Sequence, residues 1–210
     1  MKKKKNPKVS IIVPVHNAAI TLDRCVKSII EQEYENLECI LIENGSLDDS
    51  RKICLEYEKK NSKIKVYVSD KNGVSEARNL GLSAATGDII GFCDADDFIE
   101  NNAIKMIVAE FQRASNISCV ISAFYVGKLN EGIIEKQFKG EKRKQLSVLD
   151  AMCLTIGSDA VMGSVWNKYY RADIIKNTLF DSTLSYCEDM HFNIKVMAAM
   201  GNKDTIILID

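Results

Sequence analysis

Short apolar runs alternate along this chain with stretches whose apolar positions recur at helical spacing. Val9-Ser10-Ile11-Ile12-Val13 is a β-branched run that predicts a buried strand, and Pro14 is expected to stop it. Val15-His16-Asn17 then reads as a loop. From about Ala19 to Glu33, Leu22, Cys25, Val26, Ile29 and Ile30 fall on one helical face. Leu37–Ile42 predicts a second strand, closed by Glu43-Asn44-Gly45-Ser46. Ser46 is the expected N-cap of a helix through Ile53, Cys54 and Tyr57. Ile64–Val68 predicts a third strand and Lys71-Asn72-Gly73 a turn. Val74–Ala85 predicts a helix stopped at Thr86-Gly87, and Ile89–Cys93 a fourth strand.

The second half is less regular. Asn102–Ala114 predicts an amphipathic helix and Cys119–Val126 a strand. Gly127–Lys144 is charged and glycine-interrupted, so it is expected to be flexible, with a hairpin strand at Ile133-Ile134. Leu146–Ile156 reads as a helix. The segment 164–171 carries the only tryptophan, Trp166. Ser185–Met190 leads into a helix through Phe192, Val196 and Met200, and Thr205–Ile209 is strand-like. The abrupt end at Asp210 reads as a chain cut short.

Strand–helix alternation with short connections predicts an α/β fold, a mostly parallel sheet flanked by helices. In such sheets ligands bind beyond the carboxyl ends of the strands. Polar clusters fall just after predicted strands at 14–17, 43–46 and 94–97. Separate decorative turns would have no reason to share one edge, so these clusters point to one site.

Composition narrows the function classes. With 210 residues, 46% hydrophobic and 27% charged, the chain suits one sizeable soluble domain. A formal net charge of -1 gives no field for nucleic acid. The seven cysteines show no CxxC pair and no metal spacing, and read as reduced cytosolic thiols. No apolar run is long enough to span a bilayer, and no secretory leader is visible. Lys2–Lys5 form the core of a basic tail over residues 1–8. Such a tail is solvated or, alternatively, touches an anionic membrane face.

The candidate chemistry centres on Ile89–Phe98, where an apolar strand ends in Asp94-Ala95-Asp96-Asp97. Crowded carboxylates repel unless a cation sits among them, and oxygen-only ligands suit Mg²⁺ or Mn²⁺. An acidic turn at a helix N-terminus would also explain the run.

Taken together, the motifs resemble those of bacterial family 2 glycosyltransferases with the GT-A nucleotide-sugar fold, over about Val9 to Ile209. The matching pieces are Val9–Asn17, Glu43–Ser50, Asn72–Gly81, Asp94–Asp97, Trp166-Asn167-Lys168 and Glu188-Asp189. The resemblance implies one catalytic domain over 9–210. Residues 9–100 would bind the nucleotide sugar, and residues 101–210 would form a smaller acceptor-side part. Pro14, Val15, His16 and Asn17 would hold base and ribose. Glu43, where the family usually has Asp, would meet the uracil ring, with Asn44 in place of a second usual Asp. Gly45 would turn with positive φ beside Ser46, and Arg78 would lie near the diphosphate. Asp94, Ala95 and Asp96 would form the DxD motif, with Asp96 and Asp94 on Mn²⁺ or Mg²⁺. Asp97 would position the loop or hold a sugar hydroxyl.

Asp189 would be the general base of an inverting transfer, its carboxylate ionised at pH 7 from a reference pKa of about 4. Glu188, Trp166 and Lys168 would lie toward the acceptor, though Trp166 equally suits core packing. The implied donor is a nucleoside diphosphate sugar, UDP-linked by the Glu43 reading. The acceptor is a saccharide or lipid-linked hydroxyl, in envelope polysaccharide assembly at the inner membrane face. A homodimer is left open. Two rival readings remain: a non-catalytic nucleotide-sugar-binding or assembly module, and a sugar-phosphate nucleotidyltransferase. The second is disfavoured because the loop at 14–17 carries no glycine or lysine to cradle a triphosphate.

Overall fold

The computed structural model describes residues 6–128, 133–137, 143–157 and 163–210. The tail lysines and much of the charged stretch before Lys144 lie outside them. In chain order the elements are β1 (Val9–Val15), α1 (Leu22–Ile30), β2 (Leu37–Glu43), α2 (Ser50–Lys60), β3 (Ile64–Val68), α3 (Val74–Ala84), β4 (Ile89–Phe92) and α4 (Ala103–Arg113). There follow β5 (Ile117–Ser122), β6 (Phe124–Lys128), β7 (Ile133–Gln137), β8 (Arg143–Leu146), α5 (Val148–Gly157), β9 (Lys168–Arg171), α6 (Ala172–Ile175), α7 (Glu188–Ala198) and β10 (Thr205–Ile209).

An eight-stranded sheet runs in the order β3-β2-β1-β4-β9-β5-β10-β8. β1, β2, β3 and β4 are mutually parallel, as are β5 and β10. β9 lies antiparallel between β4 and β5, and β8 antiparallel to β10. Alternate strand residues face opposite sides. Val9, Ile11 and Val13 pack under α1, α2 and α4, whereas Ile12, Ile40, Ile42 and Ile90 pack under α3 and α7. Both faces are covered, which explains why these strands read as continuous apolar runs.

Three expectations are corrected. β1 does not stop at Pro14 but continues to Val15, paired with β2. Cys93 donates its N–H to the Ile12 carbonyl, so even-numbered residues of β1 turn their backbone toward β4. β4 ends at Phe92, so the donor that Pro14 lacks would have met no strand acceptor. Ser46 is not a helix cap. α2 begins four residues later with Asp49 at the N-cap, and Asp48 Oδ1 accepts the Ser50 N–H at 2.9 Å. Cys119–Val126 is two strands rather than one. At Ser122 the neighbours run out, since β9 starts opposite Ile121 and β10 ends opposite Ser122. Beyond that point β6 leaves the sheet to pair with β7, which includes the expected hairpin strand at Ile133-Ile134.

β9 and the short α6 were not foreseen. β9 has four residues, two of them tyrosines buried on opposite faces, and a run that short carries little periodicity. It packs hard on β4: a Cβ at Gly91 would stand 2.6 Å from the Tyr169 ring. Gly91→Ala is therefore expected to destabilise the fold by about 1–3 kcal/mol. Urea unfolding followed by circular dichroism measures this, and an unchanged midpoint would mean that the β4–β9 contact is loose.

Candidate functional site

β1, β2 and β4 are adjacent and parallel, so their carboxyl ends open on one edge of the sheet. The three sequence clusters at 14–17, 43–46 and 94–97 meet there. Pro14 and Val15 belong to the strand, so the loop proper starts at His16. His16 Nδ1 lies 2.7 Å from the Asn44 carbonyl, and Asn17 has φ of 49°. The Asn17 N–H donates to Ser46 Oγ, and its Oδ1 accepts the Leu47 N–H at 2.8 Å. Glu43 is buried and closes its own turn, accepting the Ser46 N–H at 2.6 Å. Gly45 has φ of +68°, as the turn requires, and a Cβ there would meet Asn72 Oδ1 at 3.0 Å. Asn44 reaches across instead. Its amide donates to the Lys71 carbonyl and accepts the Gly73 N–H at 3.0 Å, pinning the loop before α3.

The centre of the site is Arg78, on the inner face of α3 and only 4% exposed. Its Nη2 donates to Asp94 Oδ1 at 3.1 Å, and its Nη1 to Asp189 Oδ1 at 2.5 Å and Glu188 Oε1 at 3.3 Å. The guanidinium also lies 5.5 Å from the centre of the Phe180 ring, which stacks on Phe192 of α7. Carboxylates more than ninety residues apart are thus gathered on one cation. Both terminal nitrogens of Arg78 are engaged by carboxylates, and only its buried Nε lacks a partner.

Glu188 and Asp189 open α7, where the helix dipole favours negative charge. Cys187, just before them, has φ of 58°, a strained left-handed conformation for a residue other than glycine or asparagine. Asp189 Oδ2 accepts the Val165 N–H at 3.2 Å. Its carboxyl is not near its ordinary value. Burial pushes it up to about 6, against the lowering pull of Arg78, with Glu188 and Asp94 adding to the rise.

Ala95 is buried in the turn, Asp96 is exposed, and the Asp96 carbonyl accepts from Arg24. Asp97 is also pushed up to about 6, first by loss of solvation and then by Asp94 and Asp96, while Arg24 opposes the rise. Among the described residues, no group of three His, Cys, Asp or Glu side chains is arranged to hold a metal by itself. The oxygen-only chemistry of Asp94 and Asp96 nonetheless fits a hard divalent ion. Asp94, Glu188 and Asp189 share Arg78, and Asp96 and Asp97 follow in the turn that Arg24 contacts, so a diphosphate would bring further negative charge to an already acidic site. Mg²⁺ and Mn²⁺ are typically held by one or two carboxylates together with substrate phosphates.

Trp166 packs edge-on against Phe124, with ring centres 4.7 Å apart, and is half-buried. With Asp97, Phe98, Tyr125 and Asn167 it lines a cavity of about 570 Å³ beside the 94–97 turn. Lys168 is not open to an acceptor. It is fully buried, and its ammonium donates to the Ser164 carbonyl at 2.8 Å and to Asn167 Oδ1 at 2.9 Å. Sequence reasoning missed Phe180, Tyr170 and Asn193. Asn193 stands four residues after Asp189, on the face of α7 that carries Phe192, Val196 and Met197, and a polar residue in that stripe was the available signal.

A family model described as Glycosyl transferase family 2 matches residues 10–187. The uncharacterized glycosyltransferase EpsJ of Bacillus subtilis is 28% identical over 191 residues, covering 90% of this chain and 55% of EpsJ. The S. aureus TarS fragment 1–349 in complex with UDP superposes with a TM-score of 0.79 at 23% identity, over 96% of this chain and 57% of that one. The mannosyltransferase PcManGT from Pyrobaculum calidifontis, in complex with GDP-Man and Mn²⁺, gives 0.66 at 16% identity, over 97% and 54%. The chain thus spans about half the length of these proteins. The shared architecture is the GT-A fold.

A carboxyl raised in the folded state binds its proton more tightly there than in the unfolded chain. Its stabilising contribution is complete below the unfolded value of about 4 and is lost as pH rises through about 6. Asp189 should therefore lower stability by on the order of 2 kcal/mol between those limits. In Asp189→Asn that part of the fall should vanish, as read by urea unfolding at stepped pH. An identical slope in both proteins would contradict the raised value.

Proposed function

Because the chain belongs to glycosyl transferase family 2, we propose that it transfers a sugar from a nucleoside diphosphate donor to an acceptor hydroxyl with inversion, Asp189 acting as base. The observation that carries this reading is the Arg78 cluster, in which Asp94 and the Glu188-Asp189 pair share one guanidinium. Residues 9–100 form the donor-binding half. His16, Asn17, Glu43 and the Gly45 turn line the base and ribose end, and Asp94 and Asp96 face the diphosphate. Residues 101–210 form the acceptor half. Trp166 offers an aromatic face, and Asp97 a carboxyl, at the adjoining cavity. The UDP bound to TarS and the GDP-Man bound to PcManGT support a nucleotide-sugar donor, with UDP favoured by the family resemblance at the Glu43 position. The acceptor class is a saccharide or lipid-linked hydroxyl of an envelope polysaccharide.

Asp189 receives the acceptor proton as the hydroxyl oxygen attacks the anomeric carbon from the face opposite the departing diphosphate. A pKa near 6 leaves it mostly ionised at pH 7 yet more basic than an ordinary aspartate. Asp94 and Asp96 would hold Mg²⁺ or Mn²⁺, which neutralises charge on the leaving group. Arg78 orients Asp189 and Asp94 toward the same space. No helix of the described residues is long and apolar enough to cross a membrane.

Asp189→Asn is expected to lower transfer by at least about 10²-fold while UDP affinity changes little. The measurements are calorimetry with UDP and Mn²⁺, and product formation from a UDP-sugar panel. Wild-type turnover in Asp189→Asn would remove the base assignment. Asp96→Ala should abolish the Mn²⁺ dependence of UDP binding, and a variant still bound more tightly with Mn²⁺ would move the ion elsewhere. The kcat/KM profile should fall on its acid side near pH 6.

A further inference from the structure

A buried polar lattice stands behind Asp189. Asn193, fully buried on α7, donates its side-chain amide to the Gly163 carbonyl at 2.6 Å and to the Ser164 carbonyl at 3.0 Å. Tyr170 of β9 donates its hydroxyl to Asn193 Oδ1 at 2.7 Å. Lys168, also of β9, donates to the same Ser164 carbonyl at 2.8 Å. The Ser164 hydroxyl is itself buried without a partner, so the loop is held by its backbone carbonyls. It is also pressed close to α7, since a Cβ at Gly163 would stand 2.9 Å from Met190 Cβ. The next residue, Val165, supplies the N–H that Asp189 Oδ2 accepts.

We propose that Lys168, Asn193 and Tyr170 are positioning residues that fix the 163–165 loop so that its Val165 amide orients the Asp189 carboxylate. Asp189 is then held at both oxygens, by Arg78 on one and by this amide on the other. Polar groups buried this completely are costly unless satisfied; here Asn193 and Lys168 satisfy carbonyls of one loop, and Tyr170 satisfies Asn193. The catalytic weight of the proposal rests on Asp189 being the base; its structural part does not. The charged groups facing Asp189 are Arg78 from α3, Asp94 beyond β4, Glu188 from α7 and Lys168 from β9. Lys168 is displaced from its ordinary value, lowered by burial to about 8, with Asp189 opposing that fall.

The test uses the full chain and two variants. Tyr170→Phe removes one hydroxyl and keeps the ring; Lys168→Met removes the ammonium and keeps the stem. The Val165 amide resonance is followed from pH 4.5 to 8, with Asp189→Asn as the reference for a lost titration. In wild type the Val165 shift should follow the Asp189 titration, and in both variants its amplitude should at least halve while the rest of the spectrum stays dispersed. An amplitude equal to wild type in both variants overturns the proposal. With a UDP-sugar and acceptor that the wild type turns over, kcat should fall by about tenfold or more while the donor KM stays within about threefold. A kcat loss no larger than the loss of folded protein also overturns it. Should Asp189→Asn keep full turnover while wild-type Val165 still tracks Asp189, the base assignment fails and the loop-positioning claim stands.

Discussion

The architecture of the site depends on a single buried guanidinium. Arg78 sits under the carboxyl edge of the sheet and draws in Asp94 from the strand side and Glu188-Asp189 from the helix side. Buried cations are costly alone, and the Phe180 ring with three carboxylates offsets that cost. The result ties the first and second halves of the chain together where a ligand would sit. Without a guanidinium of this shape, the N-terminus of α7 and the turn after β4 would repel each other.

The same cluster sets the character of the edge. Loops from β1 and β2 are tied to one another through His16, Asn17, Asn44 and Ser46, so this part of the edge is braced by its own hydrogen bonds. Around Arg78 the balance is acidic, and Asp97 and Asp189 both sit near pKa 6, first because burial strips their solvation and then because acidic neighbours repel further negative charge. A site of this sign receives a diphosphate readily only with a cation present, which is the electrostatic reason for the DxD reading.

Much of this was legible in the residues, and the exceptions have physical causes. β1, β2 and β4 were visible because both their faces are buried, which makes apolar runs continuous; the largely exposed edge strand Ile64–Val68 and the buried Thr205–Ile209 carry the bounds expected of them. The convergence of 14–17, 43–46 and 94–97 followed from parallel alternation alone. Pro14 misled because its consequence depends on which neighbour its missing donor faces, a tertiary fact. Ser46 misled because Asp48 offered a second local acceptor. Lys168 looked like a ligand contact because lysines are rarely buried; only packing shows its ammonium on carbonyl oxygens. The Arg78 bridge lay beyond reading, since it joins side chains whose proximity is fixed by α3 and α7 packing on one face.

β9 also shapes how the protein is made. The first four parallel strands are complete by Phe92, yet β5 cannot dock on them, because the place beside β4 belongs to a strand that ends at Arg171. On a ribosome, the Ile89–Phe92 strand therefore waits through some eighty further residues of synthesis with one hydrogen-bonding flank uncovered. That interval is a window for intermolecular pairing of the nascent sheet, and it closes only when the two tyrosines of β9 slot between the halves.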